Sequence, residues 1–82
     1  MRVYFRFLCI GMPLQPGFRD IEVDEGATVE QAVTAYLKFY QMDDFFEKLP
    51  EATFMIGSNA AQRHTVLRDK DEVIVLRIPE GG

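Results

Sequence analysis

The sequence predicts an α+β domain in which a mixed sheet of four to five strands carries one main helix on one face. Three observations predict it. Residues 2–10 and 73–78 are rich in β-branched, aromatic and aliphatic side chains and apolar on both faces over most of their length, the mark of strands in the middle of a sheet. Between them lies one amphipathic stretch, with Val29, Ala32, Val33, Tyr36, Leu37 and Tyr40 recurring at three- and four-residue spacing. The other β-forming runs are short and separated by turn residues.

Each element can be justified in order. In the first strand, residues 2–10, alternation puts Val3, Phe5, Phe7 and Cys9 on one side and Tyr4, Arg6, Leu8 and Ile10 on the other. Gly11-Met-Pro-Leu-Gln-Pro-Gly17 supplies a turn. Residues 18–23 form a half-exposed strand, Ile21 and Val23 alternating with Asp20 and Glu22, which pairs back on the first as a hairpin. After the turn Asp24-Glu-Gly-Ala27, Thr28-Val-Glu-Gln31 fits a capping box, in which the threonine and the glutamine three residues on satisfy each other's backbone amides. The helix then runs to about Gln41, with Asp43 and Asp44 finishing it, and residues 43–49 add a short helical turn stopped at Pro50. Residues 53–56 read as a strand, Gly57-Ser-Asn59 as a turn, 64–67 as another short strand and Arg68-Asp-Lys-Asp-Glu72 as a charged turn before the last strand, 73–78. A right-handed crossover lays the helix over one face and sets the first and last strands side by side. The expected architecture is a β-grasp, or ubiquitin-like, roll. Residues 1–82 form a single domain ending in a flexible tail, 79–82.

Composition narrows the function classes. A chain of 82 residues buries about 60–65% of the surface its unfolded form exposes, and 48% apolar residues suit one packed core. No run approaches the ~20 apolar residues of a membrane span. The apolar N-terminal stretch is interrupted by Arg6 and lacks a small-residue cleavage site, so it reads as a strand and not a signal peptide. A single cysteine rules out an internal disulfide and fits a reducing, cytoplasmic setting. The net charge of −4 argues against nucleic acid as a partner and suits a basic patch on another protein.

The ordered set Phe18-Arg-Asp-Ile-Glu-Val23, Gly26-Ala-Thr-Val-Glu-Gln31, the helix, Asp69-Lys-Asp-Glu-Val73 and Pro79-Glu-Gly-Gly82 resembles the MoaD/ThiS family. Its members are the small subunit of molybdopterin synthase and the thiamine sulfur carrier. The likeness covers essentially the whole chain. Lys70 stands where that family usually has glycine, and Pro79-Glu80 matches neither branch's usual tail. The length is nearer the molybdopterin branch.

The resemblance implies a sulfur carrier and not an enzyme. An E1-like adenylyltransferase would adenylate the Gly82 carboxylate with MgATP, and a sulfurtransferase or the large synthase subunit would be the further partner. No cofactor would be bound; the glycyl adenylate and thiocarboxylate are covalent intermediates. Physical reasoning agrees on the ending. The carboxylate must attack a phosphate in line inside another protein's site, so positioning dominates. Gly82 and Gly81 bring no Cβ into that channel and allow unusual backbone angles. Four residues beyond Ile78 reach about 13–14 Å fully extended, and Pro79 stiffens the base of the tail.

Docking needs an apolar patch on the sheet face away from the helix. Arg6 belongs on that face because a guanidinium is rarely buried unpaired, and Tyr4 and Leu8 share its side. The family's last-strand contact falls on Leu76. Tyr4, Arg6, Leu8 and Leu76 are therefore the expected docking patch, with Arg77, Ile78, Pro79 and Glu80 leading into the tail.

Other residues carry plainer readings. Cys9 has the parity of a core cysteine. His64 lacks metal-ligating companions, and Ser58 beside it makes no triad. Asp69, Asp71 and Glu72 lack a calcium loop's glycine and glutamate spacing, and no phosphate-cradling glycine loop is present. Two rival functions share the fold: a ubiquitin-like modifier whose terminus passes to a lysine, and a protein-interaction module with an incidental Gly-Gly.

Overall fold

The two apolar strands from opposite ends of the sequence pair at the centre of one sheet. In this computed structural model, which describes residues 1–9, 17–42, 44–47 and 52–77, β1 (Arg2–Cys9) runs parallel to β5 (Glu72–Arg77). The register aligns Phe5 with Val73 and Phe7 with Val75. β2 (Arg19–Glu22) returns antiparallel on the other side of β1, and β3 (Thr53–Ile56) lies antiparallel to β5. β4 (Asn59–Ala61) closes the order β2-β1-β5-β3-β4. One helix, α1 (Val29–Phe39), supplies the buried residues Val29, Ala32, Val33, Tyr36 and Leu37 over one face.

The core follows from alternation. Val3, Phe5 and Phe7 of β1, Val73 and Val75 of β5, Phe54 of β3 and Ile21 of β2 all point at α1 and are buried. Tyr36 is its largest fully buried side chain. Its ring centroid lies 5.1 Å from those of both Phe5 and Phe7. Phe45, from the 3₁₀ turn at 44–47, meets Phe7 edge-on at 5.1 Å. Offset and edge-on rings of this kind are favoured by the aromatic quadrupole.

The start of α1 accounts for all its early backbone donors, which otherwise lack intrahelical partners. The Gln31 amide donates to Thr28 Oγ1 at 3.3 Å and the Thr28 amide to Gln31 Oε1 at 3.0 Å, completing the capping box. The Val29 and Glu30 amides donate to the carbonyls of Thr65 and Arg63, each at 2.9 Å.

Those bonds explain one correction. Residues 64–67 are not a strand of the sheet. Their stretch serves the helix N-terminus and adds only an isolated bridge between Thr28 and Val66. The fourth strand is instead Asn59–Ala61, hidden in the sequence by residues of low β-propensity. Gly57, with φ of 60°, makes the tight hairpin that lets it pair with β3 at once.

The helix also ends earlier than periodicity suggests, at Phe39 and not near Gln41. The Met42 amide donates to the Leu37 carbonyl at 2.8 Å and the Gln41 amide to Lys38 at 3.3 Å. These bonds are a Schellman motif, with Gln41 in the left-handed conformation at φ 55°. Asp44 therefore belongs to the 3₁₀ turn and not to α1. Ile10, Asp43 and the tail 79–82 lie outside the described residues.

Candidate functional site

The face of the sheet away from α1 is built by the alternate residues of the same strands. Tyr4, Arg6 and Leu8 project from β1, Ile74 and Leu76 from β5, and Met55 from β3. All six are half-buried. The pairing sets them in rows. Arg6 is opposite Ile74, which is opposite Met55, and Leu8 is opposite Leu76. The result is a largely apolar face with a guanidinium at its edge.

A charged border flanks this surface. Arg2 pairs with the carboxylates of both Asp20 and Glu22 across the β1–β2 ladder, and its hold on Asp20 keeps the guanidinium above its usual pKa. Glu72 lies opposite Tyr4 on the other side. Such exposed pairs fix registry more than stability.

Sequence reasoning brings Tyr4, Arg6, Leu8 and Leu76 together, and the structure places these four on one face. Arg77 takes the parity of Val73 and Val75, the opposite side of the sheet from Leu76. Ile78, Pro79, Glu80, Gly81 and Gly82 lie outside the described residues. Ile74 and Met55 complete the face and were missed. Alternation with Leu76 was signal enough for Ile74. Met55 needed the β3–β5 pairing, which no local pattern reveals.

Behind the face, Tyr36 is the one buried group among the described residues with a shifted titration. Burial pushes its phenol above the ordinary 10.0, and the nearby Arg19 charge partly offsets this. Arg19 itself lies 5.4 Å from the Tyr40 ring centroid, and the Tyr40 hydroxyl donates to the Asp20 carbonyl at 2.9 Å.

The plainer residues fall as follows. His64 is exposed in a turn, as is Ser58. Asp71 accepts from the Arg68 amide at 2.8 Å and Asp69 from the Arg2 amide at 2.9 Å, so both order the turn before β5. Among the described residues no three of His, Cys, Asp and Glu gather as a metal site. The Cys9 side chain is outside the described residues. No helix among those described is long and apolar enough to cross a membrane.

No protein-family model matches the sequence, and no curated protein does. Solved structures do match. SAMP1 from Haloferax volcanii superposes with a TM-score of 0.77 at 15% identity, covering 100% of both chains. A second crystal structure, of H. volcanii small archaeal modifier protein 1, gives 0.72 at 13% identity over 93% of this chain and 95% of that one. The fold is the ubiquitin-like β-grasp. At such identities the likeness establishes the β-grasp alone, and function rests on this chain's own residues.

Proposed function

We propose that this β-grasp protein is a carrier whose terminal glycine is activated by an E1-like adenylyltransferase and converted to a thiocarboxylate for sulfur transfer. The receiving pathway we propose is molybdopterin synthesis, with thiamine synthesis the alternative. The observation that carries the reading is the exit of the chain. β5 is held between β1 and β3, its Leu76 lies on the apolar outer face, and only four residues separate Arg77 from Gly82. A partner seated on Tyr4, Arg6, Leu8, Ile74 and Leu76 would receive Ile78, Pro79, Glu80 and the Gly81-Gly82 pair close to its own active site. Nothing in the chain needs to be catalytic: the Gly82 carboxylate attacks the α-phosphate of ATP and pyrophosphate leaves. A sulfide-level sulfur nucleophile then attacks the Gly82 carbonyl carbon and AMP leaves, so the thiocarboxylate forms with no change of oxidation state.

A second reading is supported by the name of the structural neighbours. They are modifier proteins, so the activated glycine could instead pass to a lysine of another protein. Both readings require adenylation. The test is ATP–pyrophosphate exchange with the host's activating enzyme. Exchange should depend on this chain and vanish when one residue is added after Gly82. Undiminished exchange with the extended chain would contradict both readings.

A further inference from the structure

The open side of β2 forms a groove against α1 that the carrier reading does not use. β2 is the last strand on its side of the sheet. Val23 and Met1 exchange backbone bonds of 2.9 and 2.8 Å. Antiparallel alternation then turns the backbone groups of Ile21 and Arg19 toward β1 and those of Asp20 and Glu22 outward. The Asp20 carbonyl is taken by the Tyr40 hydroxyl. The amides of Asp20 and Glu22 and the Glu22 carbonyl have no protein partner among the described residues. Unpaired edge groups of this kind are a template for another strand.

The groove beside this edge has a volume of about 580 Å³ and is lined by Glu22, Val23, Asp24, Glu25, Gln31 and Ala35 among others. Its floor is small and apolar and its rim acidic. Glu22 is paired with Arg2, but Asp24 and Glu25 have no ion-pair partner among the described residues. One turn beyond Ala35, on the stripe begun by Gln31, Phe39 stands 70% exposed. The groove therefore offers backbone donors and an acidic rim around small apolar side chains, with exposed Phe39 further along the same helix stripe.

We propose that this edge and groove bind an extended segment of a partner protein that carries lysine or arginine, adding to β2 as a further strand. Charge complementarity selects this occupant. A second copy of the chain would set Asp20, Glu22, Asp24 and Glu25 against their own equivalents, and the molecule as a whole carries −4. The surface is separate from the face around Ile74, and the proposal stands whatever the fate of Gly82.

The probe is a six-residue peptide of alternating lysine and valine with blocked ends, long enough to cover the edge. It is titrated into the ¹⁵N-labelled full chain. Amide shifts should concentrate at Asp20, Glu22, Gln31 and Ala35. The double variant Asp24→Lys with Glu25→Lys, whose folding is checked by its thermal midpoint, should bind about tenfold more weakly. A fully N-methylated peptide keeps its charges but has no amide donors, and should weaken by a similar factor. Shifts centred on the Tyr4–Leu76 face would overturn the proposal. So would equal binding of either control, or no binding at millimolar peptide.

Discussion

Lys70 sits at φ 69° in the turn before β5, a conformation that disfavours any side chain with a Cβ. The slot is the one where the resembling family carries glycine, and the backbone explains why: the Lys70 amide donates to the Arg2 carbonyl at 2.6 Å and closes the turn onto β1. The left-handed penalty is about 1–2 kcal/mol, offset by the about 0.4–1 kcal/mol of chain entropy that glycine adds to the unfolded state. Lys70→Gly should therefore stabilise the protein by about 0.5–1 kcal/mol and raise its thermal midpoint by roughly 2–8 °C. Calorimetry checks this; a lowered midpoint would show that the lysine side chain stabilises the turn. Tyr36 carries a second prediction. Its folded pKa lies above 10.0, so folding favours the protonated phenol. That contribution is complete below pH 10 and is lost as pH rises through the folded value. Denaturant melts at several pH values should show stability falling above pH 10, and falling less steeply in Tyr36→Phe.

At the scale of the element, α1 depends on its cap. Thr28→Ala removes the acceptor for the Gln31 amide, and stability should drop by about 1 kcal/mol. A denaturation midpoint unchanged in this variant would mean that the loop carbonyls of Arg63 and Thr65 suffice. The same helix shows what is legible in sequence and what is not. The Thr28–Gln31 pair and the period of Val29, Ala32, Val33 and Tyr36 located its start and its buried face. Its end was not legible, because Tyr40 packs on Tyr36 at 4.5 Å and extends the apolar period past the last helical residue. β1 and β5 were legible since both are apolar on both faces. β4 was not, because Asn59-Ala60-Ala61 is a strand only through its pairing with β3. The outer face was half legible: parity within β1 gave Tyr4, Arg6 and Leu8, whereas Met55 joins them only through tertiary pairing.

The whole molecule joins three parts: a sheet centred on the β1–β5 pair, an apolar outer face and a Gly81-Gly82 ending. The face can be tested apart from the tail. Ile74→Asp places a charge at the middle of the surface without entering the core, and should reduce exchange with the activating enzyme by about tenfold or more. Glu30→Lys, exposed on α1, should leave exchange unchanged. Equal loss in both would point to bulk charge and not to the face. The central claim, an activated Gly82, is tested most directly by the intact mass of the untagged protein from its own host, with fragmentation mapped along the C-terminus. Fragmentation matters because exchanging oxygen for sulfur adds nearly the mass of oxidising one of the 4 methionines. Extra mass confined to Gly82 is the expected result. A plain Gly82 carboxylate in cells actively making the cofactor, unchanged after incubation with MgATP and the host's activating enzyme, would contradict it.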